Sequence, residues 1–314
     1  MVRHLSGQLG LALQSPDADA WMACRGLFSF NYLKRHVLKA DFVPPLHETN
    51  RLHTNFKELW EEERGRLPRQ HERYTCSAFL EPLLADLGWF FLPEKALPFG
   101  QLTRKRPDFC LFTTADARNT AAESDDPVRV FNLAATVLEA KQLGHPLDRV
   151  SRSDTKGWFP SQQIQDYLRN AKSATGERYF NWAILTNGEQ WRLYCEQAGP
   201  DATFAFNLAR GDEFCGAEEF RLFMALFSPR AFERTDGKCL LDHLRTESVH
   251  LQADLETSMH RRIFFVLEEL AVGFRNHAPN AITEVQYDEL YRTTLVFLYR
   301  LLFVLYAERT NRRR

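Results

Sequence analysis

Asp108, Glu139 and Lys141 are the residues whose types and spacing best suit chemistry. In Glu139-Ala140-Lys141 the two charged residues lie two apart. On an extended strand both therefore project from one face, while Ala140 turns away into packing. Val137 should share the face of Glu139 and Lys141, and Leu138 that of Ala140. If Asp108, which follows Pro107, opens a neighbouring strand, two carboxylates and an ammonium converge on one point. Desolvating such a group is costly. A Glu-x-Lys pair alone would read as a salt bridge, but Glu139 ends the apolar run 134–138, where an unbalanced charge needs a reason. A divalent cation supplies one. Mg²⁺ takes oxygen ligands at about 2.1 Å and keeps several waters, with one or two carboxylates and substrate phosphates completing its shell. Asp108 and Glu139 would hold it over a phosphodiester, and Mn²⁺ could stand in for it. Lys141 could position or deprotonate the attacking water, or neutralise charge on the transition state. The residues leave open which of these it does, and whether one metal or two is bound.

Other side chains could serve the same point. Gln163 and Tyr167 lie four apart on a helix expected from Ser161 onward, with Gln162 beside them, and would share a face. Gln163 could donate to a phosphate and Tyr167 could stack or donate its hydroxyl. Glu81, on an earlier helix, is a candidate for an added metal ligand. Arg104, Lys105 and Arg106 precede Asp108 directly. Arg149, Arg152 and Lys156 fall between Lys141 and the Gln163 helix, and Arg169 and Lys172 lie later on that helix. Dispersed cations around a metal suit contact with a nucleic-acid backbone, and Trp158 could either stack on a base or pack in the core.

These residues require a layered scaffold to hold them. Residues 71–87 read as a helix, with Phe79, Leu80, Leu83, Leu84 and Leu87 at three- and four-residue spacing and Gly88 ending it. Strand-like segments follow at 89–93, 108–114, 128–133 and 135–141. The polar stretch 114–127 reads as an exposed hairpin or disordered insert. A helix at 161–174 comes next, then strands 182–186 and 191–194 joined through Asn187-Gly188, a strong hairpin signal. The pattern is α/β, with a mixed central sheet flanked by helices. Around it, residues 1–70 read as an N-terminal arm, 71–200 as the core and 201–246 as a linking segment packed on the core. Residues 247–314 read as an all-α region of two long helices.

The balance of 40 Lys+Arg against 41 Asp+Glu excludes a uniformly basic nucleic-acid coat but not a local basic track. Apolar content of 44% with 26% charged residues fits a globular chain. The six cysteines form no C-x-x-C pair, which fits a reducing, cytoplasmic setting. The apolar run 295–306 is interrupted by Arg300 and is short for a bilayer span, so it is expected to be a buried helix, with no membrane partner. An apolar helix followed only by Asn311-Arg-Arg-Arg314 suggests an interface or a truncated protein, of which truncation is the preferred expectation.

In order and spacing, R-P-D-F (106–109), L-E-A-K (138–141), Q-Q-I-Q-D-Y (162–167) and A-I-L-T-N-G-E-Q-W-R-L-Y (183–194) resemble the PD-(D/E)xK nuclease domain. The version most similar stands at the N-terminus of fused restriction–modification enzymes of the type IIG kind and, more distantly, in type I restriction subunits. G-L-F-S-F-N-Y-L (26–33) resembles the leader of such domains, although Phe30 stands where an acidic residue is usual. L-L-F-V-L-Y-A-E-R (301–309) resembles the helical connector toward their methyltransferase. The resemblance thus covers about 26–309. It implies a restriction-endonuclease-like fold and a Mg²⁺-dependent endonuclease acting on double-stranded DNA in phage defence. Asp108, Glu139 and Lys141 would be its catalytic residues, and Gln163 and Tyr167 the Q-x-x-x-Y element. A dimer could serve double-strand cleavage. The chain shows neither an N-P-P-Y tetrapeptide nor a Gly-rich nucleotide loop, so S-adenosylmethionine is not expected to bind it. Methyltransferase and target-recognition regions would lie elsewhere in the enzyme. The rival reading is a module that keeps the fold without catalysis and serves DNA binding or assembly.

Overall fold

The computed structural model describes residues 21–93, 106–148, 159–173 and 175–311. One compact unit ends at Val249 and a second begins at His250. Among the described residues of the first, seven strands form one open, mixed sheet. They are β1 (Met22–Arg25), β2 (Phe90–Pro93), β3 (Phe109–Phe112), β4 (Thr136–Ala140), β5 (Trp182–Thr186), β6 (Gln190–Cys195) and β7 (Thr203–Asn207). Their spatial order is β1-β7-β6-β5-β4-β3-β2, and only β4 and β5 run parallel. β1 and β7 are strands of this sheet, so residues on both sides of the expected core boundaries help to build it.

Helices flank the sheet: α1 (Phe30–Arg35), α2 (Leu46–Glu63), α3 (Glu72–Thr75), α4 (Glu81–Asp86), α5 (Ala115–Ala122), α6 (Pro127–Leu133), α7 (Pro160–Asn170) and α8 (Ala217–Phe227). β4 and β5 are buried along their whole length, which is why they read as continuous apolar runs. Their alternation still sorts two cores. Leu138, Ala140 and Ile184 pack on one face with Phe56 and Trp60 of α2 and Phe223 and Phe227 of α8. Val137, Ala183 and Leu185 pack on the other with Phe131 of α6 and Ile164 and Tyr167 of α7. Ala140 therefore turns into the first core as expected.

Two expected elements are corrected. Residues 128–133 form helix α6, not a strand. The Asp126 side chain accepts from the Val128 N–H at 3.0 Å and Pro127 occupies the first turn, so a cap and a preset φ override the strand preference of Val and Phe. The stretch 114–127, expected as a hairpin or disordered insert, contains α5, capped by the Thr114 hydroxyl on the Ala117 N–H. The helix expected over 71–87 is present without a break over 72–86, with a π-turn at Cys76–Leu80 between α3 and α4. Gly88 ends it at φ +91°.

The Asn187-Gly188 turn joins β5 to β6. Gly188 has φ +86°, and a Cβ there would lie 2.6 Å from Leu143 Cδ1 and 3.1 Å from Phe79 Cε1. Gly188→Ala should therefore destabilise the fold by about 1–3 kcal/mol, from left-handed strain and overpacking together. A denaturant midpoint equal to that of the wild type would refute this.

α9 (Leu240–Asn276) crosses into the second unit, which also holds α10 (Tyr287–Asn311). Residues 295–306, expected to be buried, are largely exposed; Phe303 is 72% exposed. Two helices give one another too few neighbours to cover apolar side chains on every side. The stretch Glu284–Glu308 is long and apolar enough to cross a membrane.

Candidate active site

β3 and β4 pair with Phe109 opposite Leu138 and Cys110 opposite Val137. Asp108 immediately precedes this paired stretch of β3 and Glu139 immediately follows it on β4, which brings the two to the same end of the ladder. The 30 intervening residues do not disturb this, because they leave the ladder as α5 and α6 and return to it. The Ala140 N–H donates to Asp108 Oδ2 at 2.7 Å, which fixes the carboxylate against the strand bearing the other two groups. Lys141 extends that strand, its N–H donating to the Thr186 carbonyl at 2.7 Å.

Lys141 Nζ donates to Glu139 Oε1 at 2.7 Å. Glu139 and Lys141 are 3% and 6% exposed, so the pair sits out of bulk solvent. Glu139 Oε2 is also buried and makes no hydrogen bond of normal geometry among the described residues, although the Tyr167 hydroxyl is near enough to interact with the Glu139 carboxylate. A carboxyl oxygen left in that state is expensive. It is the strongest local sign that a cation or ordered water belongs there.

A third carboxylate stands beside them. Glu72, in the first turn of α3, places Oε1 3.8 Å from Lys141 Nζ. Glu81, the residue the sequence suggests, lies on α4. The charges acting most strongly on Asp108 and Lys141 include Glu72 and not Glu81, whose charge is felt at Cys76. Only a weak signal could have found Glu72: an acidic residue opening the helix that leads into β2.

The electrostatics follow from this crowding. Burial, then the neighbouring Glu139, holds the Asp108 carboxyl well above the usual carboxylate range. Burial also raises Glu72, with Lys141 pulling the other way. For Lys141, burial would lower the pKa, but Glu139, Glu72 and Asp108 together override it and push it up. Three carboxylates thus share one lysine.

On α7, Gln163 Nε2 donates to the Tyr167 hydroxyl at 2.9 Å, as their four-residue spacing implies. That hydroxyl donates to the Arg106 carbonyl at 3.1 Å, tying α7 to the segment entering Asp108. Burial and the charge of Glu139 both raise the Tyr167 pKa. The Q-x-x-x-Y pair therefore stands beside the carboxylates. Among the expected backbone contacts, Arg106, Arg169 and Lys172 are exposed. Arg104, Lys105, Arg149, Arg152 and Lys156, with Trp158, lie outside the described residues.

The donor set suits a hard cation that binds few protein ligands. Among the described residues no group of three His, Cys, Asp or Glu side chains is already arranged around a metal position. Mg²⁺ does not require such a cage, since waters and substrate phosphate complete its shell. Glu139 Oε2 and the Asp108 carboxylate would hold it. No family model, curated protein or solved structure matches this chain.

Proposed function

We propose that this chain is a Mg²⁺-dependent DNA endonuclease domain with a PD-(D/E)xK-like core, of the kind found in restriction–modification enzymes. The observation that carries the reading is the meeting of Asp108, Glu139 and Lys141, with a buried Glu139 oxygen that makes no hydrogen bond of normal geometry among the described residues. Bound between Asp108 and Glu139, Mg²⁺ would polarise the phosphoryl oxygen and lower the pKa of the attacking water. Lys141 keeps its proton through neutral pH, because the three carboxylates raise its pKa. As an ammonium it would offset charge on the transition state. Gln163 retains a second N–H beyond the one given to Tyr167 and can donate it to a phosphate oxygen. Tyr167, tied to the Arg106 carbonyl, keeps Gln163 in place.

One observation favours a second reading. Lys141 already closes on Glu139, the state expected of a non-cleaving module in which the ion pair serves the fold. A plasmid assay separates the two. Supercoiled DNA should be nicked or linearised with Mg²⁺ or Mn²⁺ and left intact with EDTA. Intact plasmid under all three conditions, from protein with a cooperative melt, would leave the non-cleaving reading.

A further inference from the structure

Strand pairing carries the candidate site further across the sheet. Glu139 pairs with Leu185, Leu185 with Arg192, Arg192 with Ala205, and Ala205 with Ala23. Residues paired in this way project from one face, so Arg192 lies in the same transverse row as Glu139. Two strand spacings separate them, about 10 Å.

The face changes character within that row. Up to β5 it carries Val137, Ala183 and Leu185, packed against apolar residues of α6 and α7. Beyond β5, the same alternation places Gln190 and Arg192 on β6, Thr203 and Asn207 on β7, and Arg25 on β1 on this face. A cavity of about 290 Å³ opens at the Gln190 end of this half, lined by Asp148, Asn187, Glu189, Gln190, Arg192 and Asn207 among others.

Arg192 is poised rather than free. Its Nη1 and Nη2 donate to the two oxygens of Asp148 at 2.7 and 2.8 Å, and Nε donates to Gln190 Oε1 at 2.7 Å. The Arg192 side chain is 8% exposed and that of Asp148 is 61% exposed. A planar guanidinium fork fits a phosphate in the geometry it uses for a carboxylate. Asp148, already mostly hydrated, loses little on leaving. Arg25 is close enough for its charge to act on Asp148, so an incoming anion would meet two cations.

We infer that this polar half of the sheet face is a binding site for the DNA backbone beside the cleaved position, where Arg192 takes a phosphate in exchange for Asp148. The inference rests on the nuclease reading for its substrate. It adds where the backbone lies: over the polar half of the face, from Arg192 on β6 past β7 to Arg25 on β1, two strand spacings or about 10 Å, which is about three nucleotides at roughly 3.4 Å of axial rise each.

The test measures binding apart from cutting. Fluorescence anisotropy of a short labelled DNA duplex is followed with the full chain across a salt series, with Ca²⁺ in place of Mg²⁺. Arg192→Gln should weaken binding about tenfold and Arg25→Gln about threefold, each lowering the log–log salt slope by about one. Asp148→Asn should tighten binding about threefold by removing the competing carboxylate. Thermal melts check folding, and Arg25, exposed on the edge strand, keeps the test valid if Arg192→Gln is unstable. Unchanged affinity and slope in folded Arg25→Gln and Arg192→Gln, or no tightening in Asp148→Asn, would overturn the inference. If the wild type cuts plasmid while these measurements do not move, the strand site fails and the nuclease reading stands. If they move as expected but nothing is cut, the strand site stands and the nuclease reading fails.

Discussion

Lys141→Ala should destabilise the metal-free protein by about 3–5 kcal/mol, the usual cost of leaving a buried carboxylate without its partner. At about 2–4 °C per kcal/mol for a unit of this size, the melting temperature in EDTA should fall by roughly 10 °C. The reason is local. Among the described residues Lys141 is the cation closest to Glu139 and Glu72, at 2.7 and 3.8 Å, and Asp108 adds a third carboxylate. The sign with pH follows. A lysine whose folded pKa is raised contributes its full stabilisation below the ordinary lysine value and loses it as pH rises through the folded value, so the contribution is complete at neutral pH. In the variant, acidification should recover stability, because protonating Glu72, already raised, relieves the repulsion. Mg²⁺ should return more stability to the variant than to the wild type by replacing the missing positive charge. Cleavage should nonetheless stay about 10²–10³-fold down, since the metal does not reproduce the ammonium. Melts in EDTA and Mg²⁺ beside a nicking assay decide this. A variant as stable as the wild type in EDTA would show that the three carboxylates do not depend on the lysine.

The site was readable where its logic is local to a strand. The two-residue period around Glu139 puts Val137 on one face and Ala140 with Leu138 on the other, and the structure sorts them into opposite cores. Gln163 and Tyr167 follow equally from helical spacing. Glu72 was out of reach, because its approach to Lys141 depends on how α3 and the π-turn after it cross the end of β4, a tertiary fact without a periodic signature. The reversal at 128–133 is different. Asp126-Pro127 is a helix-start signal present in the sequence, and the β-branched residues after it outweighed it. Arg192 shows a third kind of failure. Its alternation within β6 is visible in the sequence, but its alignment with Glu139 exists only once the strand order is known.

That alignment of charges also makes Asp108 the residue where function and stability should part most clearly. In Asp108→Asn the new amide oxygen could still accept from the Ala140 N–H, the one hydrogen bond the Asp108 side chain makes to β4. The amide would no longer oppose Glu139 with a second negative charge. A carboxyl whose folded pKa is raised binds its proton more tightly in the native state than in the unfolded chain. Stability therefore falls as pH rises from the ordinary carboxylate range toward the raised value. For Asp108 burial and Glu139 set that shift, so Asp108→Asn should melt several degrees above the wild type at pH 8 in EDTA. The gap should narrow toward pH 4, where the wild-type carboxyl is protonated and the two side chains become nearly equivalent. Mg²⁺ should raise the melting temperature of the wild type and do so less for the variant, while cleavage falls by more than about 100-fold. Stabilisation on losing a charged group is the behaviour of a residue kept for its chemistry. Were Asp108→Asn less stable than the wild type at pH 8 and still able to cut, the aspartate would be a structural anchor for Ala140, and the metal position would have to be sought between Glu139 and Glu72.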